Sequence, residues 1–431
     1  MKLPWFPWIG KRPFYGWVIV AVGTMVQFTT NISTQALGTY FAPLQKEFGW
    51  SRALLAGPRS VSQVENAVLG PIEGFLVDRL GPRVTVGLGI FTMGLGLILF
   101  GFIRSLWMYF LFTIVIALGT GFAGYLVLSV TINHWFRRKR SIANAVTGVG
   151  LGIAGTVVPV VVFTQVHLGW RTASILTGLL ICVVGTPAIL LLRRHPKPYG
   201  LEMDGETHGT SVAAGSEERQ SSVAEEHDFT LREALRTRAF WLLAVGQALT
   251  STGMGALQAH VFLLLEQDVG LSRTTGAMVW SASSLISIPA RLIGGFMGDR
   301  LRKNIFGGVT TAIIATSMVV LGFATSLPMA LAFAVLYGIG LGSRTPVMNA
   351  LQGDYFGMRS QGLIRGWLAL VPLPFAIAAP VAAGYMADVQ GSYHLAFIAL
   401  GFAVLVGAVL IFLATAPKPP VAREAVLTRR H

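Results

Sequence analysis

Charge is scarce in this sequence: 12% of its 431 residues are Asp, Glu, Lys or Arg, about half the share usual in globular domains. So few ionic groups cannot cover a water-facing surface of this size, which excludes an ordinary soluble protein and assigns the chain to a lipid bilayer. Cysteine is nearly missing too. Cys182 is the single one and sits in an apolar run, so neither an intrachain disulfide nor a cysteine-based metal centre is available. Metal-ligand spacings, a nucleophile elbow and a phosphate-binding glycine loop are absent as well, so no catalytic residue, metal or cofactor is expected and the chain does not read as an enzyme. Segments of about 10 residues alternating apolar and polar, the mark of a membrane β-barrel, do not occur either.

What the chain has in quantity is apolar length: 53% of its residues are hydrophobic, with 26 Phe and 10 Trp, and the mean hydropathy is +0.64. A helix needs roughly 20 apolar residues to cross the hydrocarbon. Twelve such stretches follow one another, at 15–44, 54–77, 84–103, 107–133, 141–165, 171–193, 239–266, 274–298, 305–324, 328–352, 362–388 and 392–414, and they predict an all-α membrane protein. The basic N-terminus runs into the first stretch without a small-residue cleavage site, so that stretch reads as a retained helix. Lys and Arg set the orientation. With the N-terminus inside, 24 of the 33 fall in inner segments and five in outer loops (Lys46, Arg52, Arg104, Arg171, Arg273), leaving Arg59, Arg291, Arg344 and Arg365 within spans. Both termini are therefore expected in the cytoplasm and the spans in the inner cell membrane. The excess of +14 is spread over many short loops, which argues for topology and against a nucleic-acid surface.

Residues 194–238 hold nine of the 19 acids and divide the spans six and six. The expected organisation is an N-terminal bundle at 1–193, a cytoplasmic linker at 194–238, and a C-terminal bundle with its tail at 239–431. The middle of the linker, Gly205 to Glu226, is rich in Ser, Gly and Glu and too poor in apolar area to fold, while Phe229 to Ala239 reads as a short amphipathic helix at the membrane surface. The halves also repeat. Phe48-Gly49-Trp50-Ser51-Arg52 recurs 221 residues later as Val269-Gly270-Leu271-Ser272-Arg273, and Gly74-x-x-x-Asp78-Arg79-Leu80 recurs at the same offset as Gly295-x-x-x-Asp299-Arg300-Leu301. His134-Trp135-Phe136 matches Asp354-Tyr355-Phe356 at an offset of 220, so three landmarks share one register, the signature of a duplicated carrier.

Gly74, Asp78, Arg79, Gly81 and Arg83 spell G-x-x-x-D-R-x-G-x-R between spans two and three, and with that motif the chain resembles the major facilitator superfamily along its whole length. The resemblance implies two pseudo-symmetric six-helix bundles and alternating access. Glycine lets helices approach at the turn, while Asp and Arg pair with helix ends at the water boundary. Gly74, Asp78, Arg79 and Arg83, with the repeat residues Gly295, Asp299 and Arg300, are expected to latch the inner gate. Within the superfamily the chain is similar to the monocarboxylate transporters and the related oxalate/formate antiporters. That similarity is carried by Phe14-Tyr15-Gly16-Trp17, by Tyr40-Phe41-x-Pro43-Leu44 through to Arg52, by Trp135-Phe136 with the basic run to Arg140, and by Pro196-x-x-Tyr199-Gly200-Leu201.

Ionisable groups inside apolar spans are expensive and mark function. Arg291 lies eight residues from Asp299, roughly 12 Å into a core of about 30 Å, where a guanidinium has to meet an anion or an acid side chain. Its planar fork suits a carboxylate. The resemblance implies the same role, because the monocarboxylate family keeps its substrate-binding arginine in this part of span eight; the acid that many members carry four residues earlier is Ser287 here. His260, roughly 9 Å inside the outer end of span seven, either exchanges the coupled proton or is a hydrogen-bonded packing residue. Glu65, 13 residues from Asp78, either carries that proton or neutralises Arg344, which lies about 15 Å above the inner boundary in span ten.

Arg59 shares a polar stripe of span two with Ser62, Asn66, Gly70 and Glu73; it either recruits anions or snorkels to water. Most monocarboxylate transporters that the chain resembles lack Arg59 and Arg344, which points to a substrate with extra negative or polar groups. Gln35 stands where many eukaryotic members place a membrane lysine, and Pro372 where oxalate antiporters have a second cation. Tyr125, Ser129 and Asn133 in span four and Tyr337 in span ten either line the cavity or pack helices. The sequence thus predicts a monomeric, proton-coupled carrier of a small organic (mono)carboxylate. Its rivals are an anion exchanger of the oxalate/formate type, a facilitator of another solute, and a sensor that binds a solute without moving it.

Overall fold

A backbone surrounded by lipid has to satisfy its N–H and C=O groups within its own segment or in a closed barrel, and this chain takes the helical solution. The computed structural model describes residues 14–136, 140–193, 229–356 and 361–417, and no strand occurs among them. Ten helical runs in that set are long and apolar enough to cross a membrane. The remaining two of the twelve expected spans are helices as well, α1 (Tyr15–Ala36) and α3 (Arg52–Leu80). They differ from the ten in polarity. Gln27, Asn31, Ser33 and Gln35 interrupt α1, and Arg59, Glu65, Glu73 and Asp78 interrupt α3.

Packing divides the chain into two compact units, Met1–Tyr40 with Val64–Arg219 and Phe41–Gln63 with Gln220–His431. Phe41–Gln63, expected from the sequence to go with the first six spans, therefore packs with the second unit. The first unit contains α1, the body of α3, α4 (Pro82–Phe100), α5 (Leu106–Phe122), α6 (Tyr125–Trp135), α7 (Arg140–Thr156), α8 (Val158–Leu168) and α9 (Trp170–Leu191). Small residues decide how closely these helices approach. A Cβ on Gly119 would lie 2.3 Å from the backbone nitrogen of Met93, and one on Gly89 would lie 2.5 Å from that of Ala123, so α4 and α5 touch backbone to backbone in the manner of packed membrane helices. Two of the family-like motifs meet at one end of this unit. Trp17 and Phe136 pack edge to face at 5.2 Å, Phe14 and Phe136 at 5.6 Å, and Tyr15 donates from its hydroxyl to the Leu191 carbonyl at 2.8 Å.

The second unit is built from α2 (Phe41–Phe48), the start of α3, α10 (Leu231–Leu235), α11 (Arg238–Leu263) and α12 (Arg273–Arg300). It continues through α13 (Lys303–Gly322), α14 (Leu327–Phe356), α15 (Gln361–Leu370), α16 (Leu373–Gln390) and α17 (His394–Leu413). Within the expected surface helix, 229–239, the chain forms α10 and then, after a turn, the first two residues of α11. Thr230 and Glu233 close a capping box around its first turn, and Phe229 packs edge to face on Phe356. At the same end of the unit the Tyr355 hydroxyl donates to the Ala414 carbonyl at 2.7 Å; burial and the neighbouring Asp354 push this phenol up to about 12. The repeated motif is repeated in backbone geometry too. Gly49 and Gly270 both take left-handed φ, 66° and 76°, which a Cβ would oppose. Two residues on, Ser51 and Ser272 accept from the N–H groups of Leu54 and Thr275 at 3.2 and 3.1 Å and so start α3 and α12 alike.

Large apolar side chains such as Phe91, Leu95, Val183, Leu292 and Phe402 are exposed on these helices, as a lipid-facing surface requires. Gly119→Ala is expected to lower the unfolding free energy by about 1–3 kcal/mol, because the added methyl runs into backbone that cannot yield. Gly366→Ala, whose Cβ meets nothing within 4 Å, is expected to be neutral or slightly stabilising. Thermal unfolding of the purified protein in one detergent compares the two.

Candidate functional site

In the second unit α12 and α14 lie against each other through glycine. A Cβ on Gly338 would meet the Ser283 carbonyl at 2.5 Å, and one on Gly342 would meet the Ser287 carbonyl at 2.4 Å and the Arg291 nitrogen at 3.0 Å. This register has a consequence for charge: Arg291 on α12 and Arg344, two residues beyond Gly342 on α14, stand at one level of the unit. They lie nine and 12 residues from the helix ends at Arg300 and Phe356, or roughly 14 and 18 Å. Both side chains are partly buried. The Arg344 Nε donates to the Thr311 hydroxyl at 3.0 Å. Its other guanidinium N–H groups meet no acceptor and no acid pairs with it among the described residues. Thr311 is neutral, and its own hydroxyl donates back to the Gly307 carbonyl at 2.7 Å. An uncompensated guanidinium at that depth is a standing electrostatic demand for an anion.

Two turns along α14 from Arg344, on the same face, stands Tyr337. Its ring lies 5.8 Å from that of Trp280 on α12 and stacks on Phe333 at 5.6 Å, while Trp280 also meets Phe262 at 5.9 Å. The Tyr337 hydroxyl and the Trp280 indole nitrogen are buried and have no hydrogen-bond partner among the described residues. A buried donor left alone costs about 1–3 kcal/mol, so this pair is a second unmet demand in the same helices.

His260 sits elsewhere in the second unit and is fully satisfied. A carbonyl can only accept, so the 2.8 Å contact with the Pro380 oxygen fixes a proton on Nε2. Nδ1 is then left to accept from the Tyr393 hydroxyl at 2.9 Å. The ring is completely buried and Phe41 packs on it edge to face at 5.8 Å. Around Tyr393 a clasp closes between the start of α3 and the end of α16. The first N–H groups of α3, those of Arg52 and Ala53, donate to the two carboxylate oxygens of Asp388 at 3.1 and 3.2 Å. In return the Arg52 guanidinium donates to the Ala387 carbonyl at 2.7 Å and to Gln267 at 2.6 Å, and lies 4.9 Å over the Tyr393 ring. Each helix end thus receives the charge its dipole favours. Gly384 makes the approach possible, since a Cβ there would lie 2.8 Å from the Ala53 nitrogen.

The polar stripe of α3 divides between the two units. Arg59, in the second, donates from Nη2 to the Gln258 side chain, while its Nε is buried without a partner among the described residues. Glu65, in the first, has both carboxylate oxygens buried and no hydrogen-bond donor to either among the described residues. Gln35 is partly buried near the end of α1, and Tyr125 is exposed with its hydroxyl 3.4 Å from Asn144. Of the expected latch, Arg79, Arg83 and Arg300 are exposed, and the Arg300 guanidinium lies 4.0 Å over the Phe296 ring. Gly295 is partly buried and a Cβ on it would be 4.0 Å from Pro346. The surroundings of Gly74 and the side chains of Asp78, Asn133 and Asp299 lie outside what the structure describes. Sequence reasoning passed over Trp280, Gln258, Tyr393 and Asp388. The last had a visible signal, an acid at the end of an apolar span, whereas the other three are identifiable only by what they touch.

The sequence matches the profile of the Major Facilitator Superfamily over residues 23–371 and 248–430. It is 25% identical over 423 residues to Monocarboxylate transporter 12-B of Danio rerio, an alignment that covers 92% of this chain and 86% of that one. It is 24% identical over 261 residues to the membrane sensor protein UhpC of Salmonella typhimurium, covering 60% of this chain and 59% of that one. The fold is similar to that of a bacterial homolog of the human lysosomal transporter Spinster in an inward-facing and occupied conformation, with a TM-score of 0.72 at 15% identity, covering 94% of this chain and 97% of that one.

Asp388→Ala removes the acceptor of two helix-end donors and is expected to lower the unfolding free energy by about 1–2 kcal/mol. Asp388→Asn, which keeps one acceptor oxygen, is expected to cost less. Maleimide labelling of Gln45→Cys, which sits beside the clasp, should accelerate in Asp388→Ala; an unchanged rate would mean that the clasp does not hold α2.

Proposed function

The chain belongs to the Major Facilitator Superfamily, and from that premise we propose that it carries a small organic carboxylate through the membrane by alternating access, coupled to a proton. The observation that carries the reading is the shared level of Arg291 and Arg344, with neutral Thr311 the one hydrogen-bond partner of Arg344 among the described residues. A carboxylate supplies the missing charge and two acceptor oxygens in the plane that a guanidinium fork presents. The names of the monocarboxylate transporter relatives support the same substrate class for this chain.

For the proton we favour Glu65 over His260. His260 has a partner on each ring nitrogen and would have to break one bond to act. Glu65 has none to break: dry, it is stable only as the neutral acid, and wet, it can ionise. In this reading the carrier works as a monomer in the inner cell membrane with both termini cytoplasmic, the Asp388 clasp faces outward, and Gly74, Asp78, Arg79, Arg83, Gly295, Asp299 and Arg300 latch the inward side.

Uptake into proteoliposomes under an imposed pH gradient tests this. Arg344→Gln and Arg291→Gln are each expected to lower carboxylate uptake at least tenfold. Glu65→Gln is expected to abolish accumulation driven by the gradient while leaving carboxylate-for-carboxylate counterflow. Counterflow in the wild type that ignores pH would favour the exchanger, and ligand binding without any uptake would favour a sensor of the kind the UhpC name describes.

A further inference from the structure

Each strand of the carboxylate reading concerns the arginine level, but the same helix pair holds a second site that this reading does not use. Trp280 is 3% and Tyr337 1% exposed, and their rings are 5.8 Å apart. Both polar atoms are without a hydrogen-bond partner among the described residues. The rings of their neighbours Phe262 and Phe333 carry no N or O acceptor. Buried Tyr and Trp ordinarily find a partner for the O–H or N–H, and lone buried donors are few in native proteins. Two of them side by side in a lipid-embedded unit form a site whose acceptor comes from outside the chain.

Register ties this site to the arginines. Ser283 meets Gly338 and Ser287 meets Gly342, so α12 and α14 keep one alignment from the aromatic level to the charged one. Tyr337 and Arg344 are seven residues apart, on one face of α14 and roughly 10 Å apart along its axis. We infer that Trp280 and Tyr337 bind a second polar group of the transported acid, so that the preferred substrates are carboxylates bearing a hydrogen-bond acceptor, a ketone or comparable oxygen, several carbons from the carboxyl group. The indole N–H can only donate and the phenol is neutral, so the group they select is an acceptor and need not carry charge. The inference rests on the carboxylate reading and deepens it from a charge to a shape.

The test uses two acids of equal length, hexanoate and 5-oxohexanoate, and the affinity of each for the purified full-length protein measured by thermal shift or calorimetry. The wild type is expected to bind 5-oxohexanoate at least ~10-fold more tightly, because a site built to hydrogen-bond rejects an analogue that lacks the partner. Tyr337→Phe and Trp280→Phe should each reduce that preference and the double variant abolish it, all with hexanoate affinity kept, which also reports that they are folded. Equal affinity in the wild type would mean that a water fills the site, and a preference surviving in the double variant would mean that other residues select the oxygen; either result overturns the inference while leaving the carboxylate reading. Loss of hexanoate binding in Tyr337→Phe would assign Tyr337 to the carboxyl group and overturns it too. If neither acid binds the wild type, the carboxylate reading falls and this inference with it.

Discussion

Lipid offers no hydrogen bond, and that single constraint orders everything polar in this chain. Most hydroxyls within the spans meet it locally by donating to a carbonyl one turn back in their own helix. Thr24 to Val20, Thr113 to Tyr109, Thr250 to Gly246 and Thr311 to Gly307 are examples, at 2.7 to 2.9 Å. Such groups are consumed by the fold and are silent in function. The constraint therefore works as a filter: among the described residues, what remains after local satisfaction includes the Arg344 guanidinium, the Glu65 carboxyl, the Arg59 Nε and the Trp280 and Tyr337 donors, beside the Gln27 and Gln247 amide nitrogens, the Arg52 Nε and the Ser105 hydroxyl. Each is costly where it stands.

The same filter sets His260 apart. Its position in an apolar span left a proton carrier and a hydrogen-bonded packing residue both open, and each of its ring nitrogens has a partner, Pro380 and Tyr393. The neighbouring clasp is compensated as well, by exchanging helix ends: carboxylate to the N-terminus of α3, guanidinium to the C-terminus of α16. Compensation of this kind favours one conformation strongly, whereas the Arg344 guanidinium has neutral Thr311 as its one hydrogen-bond partner among the described residues.

Much of the fold was legible in the sequence because lipid imposes a length and a composition on each segment. Ten of the twelve expected spans follow from apolar run length alone. The repeat was legible for a related reason: the left-handed Gly49 and Gly270 and the capping Ser51 and Ser272 are dictated by local backbone geometry, which residue identity specifies directly. Packing groups residues 41–63 with the second unit, a grouping that the order of the spans along the chain does not contain. Nothing local determines that, since it depends on Gly384 admitting Ala53 from 331 residues away in the chain.

Arg291, Arg344, Glu65 and Tyr337 were recognisable as candidates because an ionisable or polar residue in an apolar run is anomalous by composition alone. The register that sets Arg291, Arg344 and Tyr337 along one helix pair was not. The sequence by itself determined that this chain lies in a membrane, spans it as helices, repeats, and carries a few polar groups it cannot afford to leave dry. Only the tertiary structure decided which of those groups have partners, because a hydrogen bond between helices depends on register and on the glycines that permit close approach, and neither is written in the spacing of one helix.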